Sequence, residues 1–313
     1  MDLEACLPHD LRGPATTITR IAVGLSGAGV YRVDAAGVAY VLKVSAADEP
    51  VAAWRRRVGI ERRAADAGLA PAVVHVDEPG RAVLSAFVVD RSFPAFYGDP
   101  RTHVAAVTQL GQTLRRVHDL PLPADAPAVD PRAVLAELAA GLRGGAAVPA
   151  FVDEAIARVQ AEVDPVDDRA AVLGHNDVNP TNLIYDGASI LLLDWHTAGP
   201  THPFFDLAAI AVFLRMDDAT CRRLLAAHDG APVDALPPRF ASTLRLVAAL
   251  VGATFLRLAR QRQHPGATGD ETVATTPPLA EVYRRLRAGE LDVASAAGQW
   301  TFGLALLKDS LAR

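Results

Sequence analysis

The stretch "GHNDVNPTN", residues 174–182, gathers a His, an Asp and three Asn around one Pro. Asp194 follows Asn182 by twelve residues and closes the apolar run of "LLLDWHTAG". An amide oxygen and a carboxylate are hard donors. They suit Mg2+, an ion that keeps several of its waters and bridges to substrate phosphates. Asn182 and Asp194 are therefore the candidate metal ligands. Asp177 lies five residues before Asn182, across a loop containing Pro180. It is placed for the mouth of the same site without ligating, where a group that orients an attacking hydroxyl belongs. The structural alternative is that these polar residues only cap and brace turns.

For Asn182 and Asp194 to meet, the chain between them must fold back. "NLIYDGASILLLDW" reads as a hairpin, with Asp186-Gly187 as a two-residue turn between β-rich runs. The rest of this half is helical in pattern. "HVAAVTQLGQTLRRVHDL" has apolar residues three and four apart. "RAVLAELAAGL" and "FVDEAIARVQAEV" continue as helices after a Pro-rich connection, and residues 171–194 are the only strand-like part. From "HPFFDLAAIAVFL" onward the chain reads as helical, apart from a loop at "QHPGATGDETVATTPP". The first ninety residues differ. Short β-branched and aromatic runs bounded by Gly and Asp predict about five antiparallel strands, including a hairpin around "DEPG". One helix, "AAWRRRVGIERRAADAG", is inserted among them and stops at Gly68. The boundary between the two textures falls at residues 88–93.

The 313 residues suit one large domain or two smaller ones. A net charge of -5 argues against general binding to nucleic acid or to anionic membranes. Cys6 and Cys221 are far apart and read as free thiols of a reducing cytoplasm. The N-terminus lacks the apolar core of a signal peptide. The apolar run "LVAALVGATFL", about eleven residues, is short for a membrane span and reads as a buried helix.

His175, Asp177 and Asn182 reproduce the His-x-Asp-(x)4-Asn catalytic loop of kinases. With "LLLDWHTAG" and "HPFFDLA", the whole resembles the aminoglycoside phosphotransferase and choline kinase family of small-molecule kinases. The resemblance covers nearly the whole chain and weakens after about residue 215. It implies an α+β, bilobal, protein-kinase-like fold. Residues 1–90 would form a small antiparallel-sheet lobe with one helix, and residues 91–313 a larger, mainly helical lobe. It also implies ATP, Mg2+ and a small-molecule hydroxyl acceptor.

The N-terminal half can be set against that resemblance. Such a kinase needs a lysine on the third strand, and "AYVLKV" supplies Lys43, the only lysine in the first three hundred residues. Arginines are plentiful there, so a lone Lys suggests a need for a compact ammonium. Glu61, midway along the predicted helix, is the candidate partner of Lys43. Glu49 is nearer in sequence but precedes Pro50. The alternative for Glu61 is pairing with nearby arginines on a solvated face. "GLSGAGVY" lies where the phosphate-covering loop belongs, with Gly24, Gly27 and Gly29 admitting backbone N–H groups to phosphate and Ser26 adding a hydroxyl. Its spacing is not that of protein kinases, and a plain hairpin turn would also use these glycines. Residues 85–89, with Phe87 at their centre, would be the hinge whose backbone meets adenine. The resemblance makes Asp177 the residue that orients the acceptor hydroxyl and takes its proton. It makes Asn182 and Asp194 the Mg2+ ligands, His175 a brace for the loop and Asp206 its buried tether.

Two positions depart from the family pattern. His196 stands where an acidic or aromatic residue is common, and His202 where Asp is common; His196 could face substrate or fill the core. Three rivals compete. A metal-dependent hydrolase would use the His-x-Asp and Asp-x-His pairs among His175, Asp177, Asp194, His196, His202 and Asp206, but gives Lys43 and the sheet no task. A catalytically silent kinase-like binding protein would normally have lost one of Lys43, Asp177 or Asp194. A protein kinase would need the D-F-G and A-P-E signatures, which are missing. For the acceptor, Trp195, Trp300 and Phe302 could line an ammonium cage or, more simply, fill the core.

Overall fold

A computed structural model of the chain describes residues 2–21, 29–46, 48–145 and 147–313. It groups into two compact units. One comprises Met1–Ala126, Val172–Pro200 and Arg223–Pro232, the other Pro127–Ala171, Thr201–Arg222 and Val233–Arg313. Compactness thus gathers the N-terminal sheet with the 172–200 segment, whereas residues 88–93 mark the change of texture along the chain.

The first unit carries five strands, β1 (Thr17–Arg20), β2 (Gly29–Ala35), β3 (Val38–Val44), β4 (Val73–Asp77) and β5 (Ala82–Ala86). They form one antiparallel sheet in the order β1-β2-β3-β5-β4, with the expected hairpin joining β4 to β5. Strand alternation sorts the residues by face. Val33, Leu42, Val44 and Leu84 are buried on one face, under Cys6, Leu7 and Leu11 from two short 3-10 turns (Glu4–Cys6, His9–Leu11). Lys43 sits one residue out of that set, opposite Val30 and Val83. Val83 packs on Trp54 and Val58 of helix α1 (Val51–Asp66). That helix ends as expected. Gly68 adopts φ 66°, its N–H donates to the Ala65 carbonyl, and the Leu69 N–H donates to Ala64. This pair of hydrogen bonds closes the helix just before the left-handed Gly68, a conformation that glycine takes without a Cβ clash.

Helices α2 (Phe93–Gly98) and α3 (His103–His118) follow, then α4 (Pro131–Arg143) and α5 (Ala150–Ala161) of the second unit. The chain returns to the first unit with β6 (Val172–Gly174), β7 (Leu183–Tyr185) and β8 (Ile190–Leu192). β7 and β8 make the expected hairpin, in register Leu183↔Leu192 to Tyr185↔Ile190. Its turn differs from expectation, being four residues long rather than two. The Asp186 N–H donates to the Ser189 carbonyl, and Asp186 Oδ1 accepts the N–H groups of Ala188 and Ser189, each at 2.7 Å. The aspartate side chain replaces the tight backbone turn. A further short strand, β9 (Gly199–Thr201), pairs with β6, so strand structure runs past residue 194.

The second unit is helical: α4, α5, α6 (Phe204–Phe213), α8 (Pro238–Gln261), α9 (Leu279–Arg287) and α10 (Ala296–Ala312). Between them α7 (Asp218–Asp229) runs from the second unit into the first. The apolar run expected to be short belongs to α8, whose 24 residues are long and apolar enough to cross a membrane by length and composition alone. Here 56% of its apolar window is buried inside the chain, and the helix packs on α4, α6 and α10. Gly252 and Gly303 set its distance from α10, since a Cβ on Gly303 would lie 2.8 Å from the Gly252 carbonyl oxygen. Glycine costs a helix interior about 1 kcal/mol relative to Ala, and close backbone contact offsets that cost. Both cysteines are free and buried.

Candidate active site

The loop after β6 turns sharply because Asn176 takes a left-handed φ of 62°. Asn is one of the few side chains that tolerate this conformation. Its amide donates to the carbonyls of Thr197 (3.1 Å) and Gly199 (3.3 Å). His175, fully buried, donates from Nε2 to the Leu193 carbonyl at 2.9 Å and packs edge-on against Trp195. The Thr197 hydroxyl donates to the His175 carbonyl at 3.0 Å. These bonds tie the two ends of the segment together.

Asp177 is held at both carboxylate oxygens. Asn179 Nδ2 donates to Oδ1 at 3.0 Å, and Asn182 Nδ2 donates to Oδ2 at 2.8 Å. Asn179 itself is held by the Thr181 N–H and hydroxyl on its amide oxygen. Asn182 thus uses its nitrogen on Asp177. Its oxygen has no partner among the described residues and is left for a cation. The Leu193 N–H donates to the Asn182 carbonyl at 2.8 Å, which continues the hairpin and brings Asn182 alongside Asp194.

Asp194 also has a left-handed backbone, φ 63° and ψ 69°. Lys43 Nζ lies 2.5 Å and His196 Nδ1 3.0 Å from the same oxygen, Oδ1. Burial pushes the Asp194 carboxyl up, but the hydrogen bond from His196 and the charge and hydrogen bond of Lys43 outweigh it, so the acid is held well below the ordinary carboxylate range. The same bond raises His196, against burial. Among the described residues Oδ2 has no partner. One carboxylate oxygen and one amide oxygen are a donor set that fits Mg2+, which needs only one or two protein ligands beside phosphate and water.

Glu61 lies on the buried face of α1, with Trp54 and Val58, and not on a solvated one. Burial raises its pKa, against the charges of Lys43 and Arg57, and Asp194 adds to the rise. No hydrogen bond joins it to Lys43, which is on Asp194. Its ion-pair neighbour is Arg57 Nη1 at 3.7 Å. Arg57 is only 7% exposed and also bonds Ser45 Oγ at 2.7 Å and both oxygens of Glu49 at 3.2 Å. Glu49, the second candidate partner, is therefore taken by Arg57.

Gly24, Ser26 and Gly27 lie outside the described residues. The Phe87 N–H donates to the Ala39 carbonyl at 3.2 Å, so this N–H is not the group that meets a base. The Arg32 guanidinium lies over its ring, 4.6 Å from the centroid. Asp206 is fully buried in the first turn of α6, in the second unit. His202 Nδ1 accepts the Phe204 N–H at 3.2 Å, so its proton is on Nε2, 3.4 Å from Asp167. It thereby satisfies the first free N–H of α6 from two residues before it. Trp195, Trp300 and Phe302 are each under 5% exposed, and their rings pack on other aromatic residues. No three described His, Cys, Asp or Glu side chains converge on a metal position, as a hydrolase centre would require.

Spacing alone did not reveal Asn179, Asn176 or Arg57. Asn179 carried a signal, since an Asn directly before Pro180 is a natural cap for the 3-10 turn Pro180–Asn182. Arg57 carried a weaker one, four residues before Glu61.

The sequence matches the profile of the phosphotransferase enzyme family (APH) over residues 17–241. Solved structures share the fold. A choline/ethanolamine kinase family protein from Mesorhizobium loti is 18% identical, with 96% of this chain and 94% of that one covered at a TM-score of 0.60. The choline kinase LicA from Streptococcus pneumoniae is 14% identical, with 92% and 93% covered at a TM-score of 0.58. LicA has also been solved in complex with AMP. A macrolide 2'-phosphotransferase from Brachybacterium faecium is 17% identical, with 82% and 90% covered at a TM-score of 0.56. Among curated proteins none matches the chain.

Proposed function

The chain belongs to the phosphotransferase enzyme family, a small-molecule kinase by class, and from that premise we propose that it moves the γ-phosphoryl group of ATP to a hydroxyl of a small molecule. The observation that carries this is the pair of held carboxylates. Asp177 is fixed at both oxygens by amides, and Asp194 is fixed at one oxygen with the other open. In this reading Asp177 orients the acceptor hydroxyl. As the new P–O bond forms and the β,γ-bridging bond breaks, the hydroxyl proton passes to an Asp177 oxygen and ADP departs. Asn182 Oδ1 and Asp194 Oδ2 would hold Mg2+. When bound, the ion neutralises charge on the phosphate oxygens. Lys43 leaves Asp194 for the α- and β-phosphates, and Glu61, already within its electrostatic reach, becomes its partner. Ser26 and Gly27 would meet phosphate, and the Phe87 segment would meet adenine. His175 braces the loop through Leu193, and Asp206 is read as buried support. The acceptor class stays broad: an aminoglycoside, choline, a related amino alcohol or a sugar. A cytoplasmic setting suits both ATP and the two free thiols.

The test is ADP release from Mg2+-ATP across choline, ethanolamine, aminoglycosides, sugars and amino alcohols, with Asp194→Ala alongside. Acceptor-dependent release by the wild type and none by the variant is expected. Full activity in Asp194→Ala would remove the assignment.

A further inference from the structure

Two donors share Asp194 Oδ1, Lys43 Nζ and His196 Nδ1. In the proposed reaction they have different fates. Lys43 has a long flexible stem and must serve phosphate. His196 sits on the 3-10 turn Trp195–Thr197, which is anchored on both sides of it. Trp195 is 2% exposed and donates from Nε1 to the Leu192 carbonyl at 3.1 Å. Thr197 is held through the His175 carbonyl and by Asn176. The backbone that carries the half-exposed imidazole is therefore placed by contacts that do not involve the nucleotide. Donation to a carboxylate puts its proton on Nδ1, while Nε2 has no partner among the described residues.

We infer that His196 is a positioning residue for the metal. It holds Asp194 Oδ1 after Lys43 has left, so that Oδ2 keeps facing the cation. The inference rests on the proposed phosphotransfer reading, in which Asp194 is the ligand. It follows a general rule of metal sites. A ligating carboxylate is itself hydrogen-bonded, and losing such an outer partner weakens metal binding about 10–100-fold. Asp194 has special need of it. Once released by its lysine, the carboxylate would otherwise be free to rotate its open oxygen away.

Mn2+ in place of Mg2+ makes the test independent of turnover. Free Mn2+ is counted by electron paramagnetic resonance with full-length protein and a non-hydrolysable ATP analogue. Affinity for the analogue alone is read separately in EDTA. His196→Ala and His196→Leu are expected to weaken Mn2+ binding about tenfold, with metal-free analogue affinity unchanged. His196→Asn keeps a donor near the Nδ1 position and is expected to recover most of the loss. Wild-type Mn2+ affinity in His196→Ala would overturn the inference. So would a matching loss of affinity in EDTA, or an Asn variant as poor as Ala, since each would mean a merely structural ring. Asp194→Ala separates the two levels. If it too keeps Mn2+, the metal assignment fails. If it loses Mn2+ while His196→Ala does not, only the role of His196 fails.

Discussion

The segment from His175 to Gly199 and the α8–α10 crossing are built by opposite means. In the segment, nearly every polar side chain has a stated hydrogen-bond partner, often a backbone carbonyl or a second side chain of the same segment. At the crossing the packed side chains are apolar, among them Leu246, Ala253 and Leu256 of α8 and Trp300, Leu304 and Leu307 of α10. Gln299 is fully buried with neither amide atom hydrogen-bonded among the described residues, and the same holds for Trp300 Nε1 and Thr276 Oγ1. A polar network fixes directions, because each bond has an angle. An apolar contact fixes distances only. The difference shows where the molecule needs aim and where it needs volume.

That contrast can be broken by substitutions that remove aim without volume, or the reverse. The largest effect is expected from Asp177→Asn, which is nearly isosteric. Turnover should fall about 100- to 10,000-fold while nucleotide affinity, followed by fluorescence titration, stays within about twofold. Equal losses of both would mean that Asp177 only supports the fold. Gly303→Val adds volume to the crossing and touches no polar group of the site. Stability in a urea titration should drop by about 1–3 kcal/mol. An unchanged midpoint would show that α8 and α10 do not need their glycine contact. Asn179→Ala removes one of the two amides on Asp177. A loss of about 1 kcal/mol in transition-state stabilisation, roughly fivefold in kcat, is expected. An unaltered kcat would leave Asn182 alone responsible for the aim.

The smallest effect concerns pH. His196 is raised by its bond to Asp194. Its charged form is favoured in the folded state, so its contribution to stability is complete below about pH 6.5. It disappears as pH rises through the raised value. The difference in melting temperature between wild type and Asp194→Asn should therefore narrow as pH rises from 6 to 9. A difference that widens over that range would contradict the sign of the interaction.

Much of this was legible beforehand, and for physical reasons. Alternation in β2 and β3 placed Lys43 on the face opposite Leu42 and Val44. Gly68 announced the end of α1, and the polar spacing from Asp177 to Asp194 announced a loop and a returning hairpin. Other features were hidden because they depend on partners remote in sequence or on interchangeable chemistry. The Asp186 turn looked like a two-residue turn, but the aspartate side chain bonds two N–H groups and lengthens the loop. His202 departs from the family pattern, yet its ring nitrogen accepts the Phe204 N–H at the start of α6. Lys43 on Asp194 could not be read from spacing, because three cations and three acids compete within one small volume. The sequence of the helical unit encodes its packing and carries no comparable pattern for the acceptor.

The two 3-10 turns before β1 have a practical meaning. The family match begins at residue 17, but the sheet's outer face is closed by Cys6, Leu7 and Leu11. A recombinant chain trimmed to the matched region would bare Val33, Leu42 and Leu84 as one contiguous apolar surface, the kind that drives aggregation. For expression, crystallisation or fusion, the working limit of this fold lies ahead of its recognisable homology.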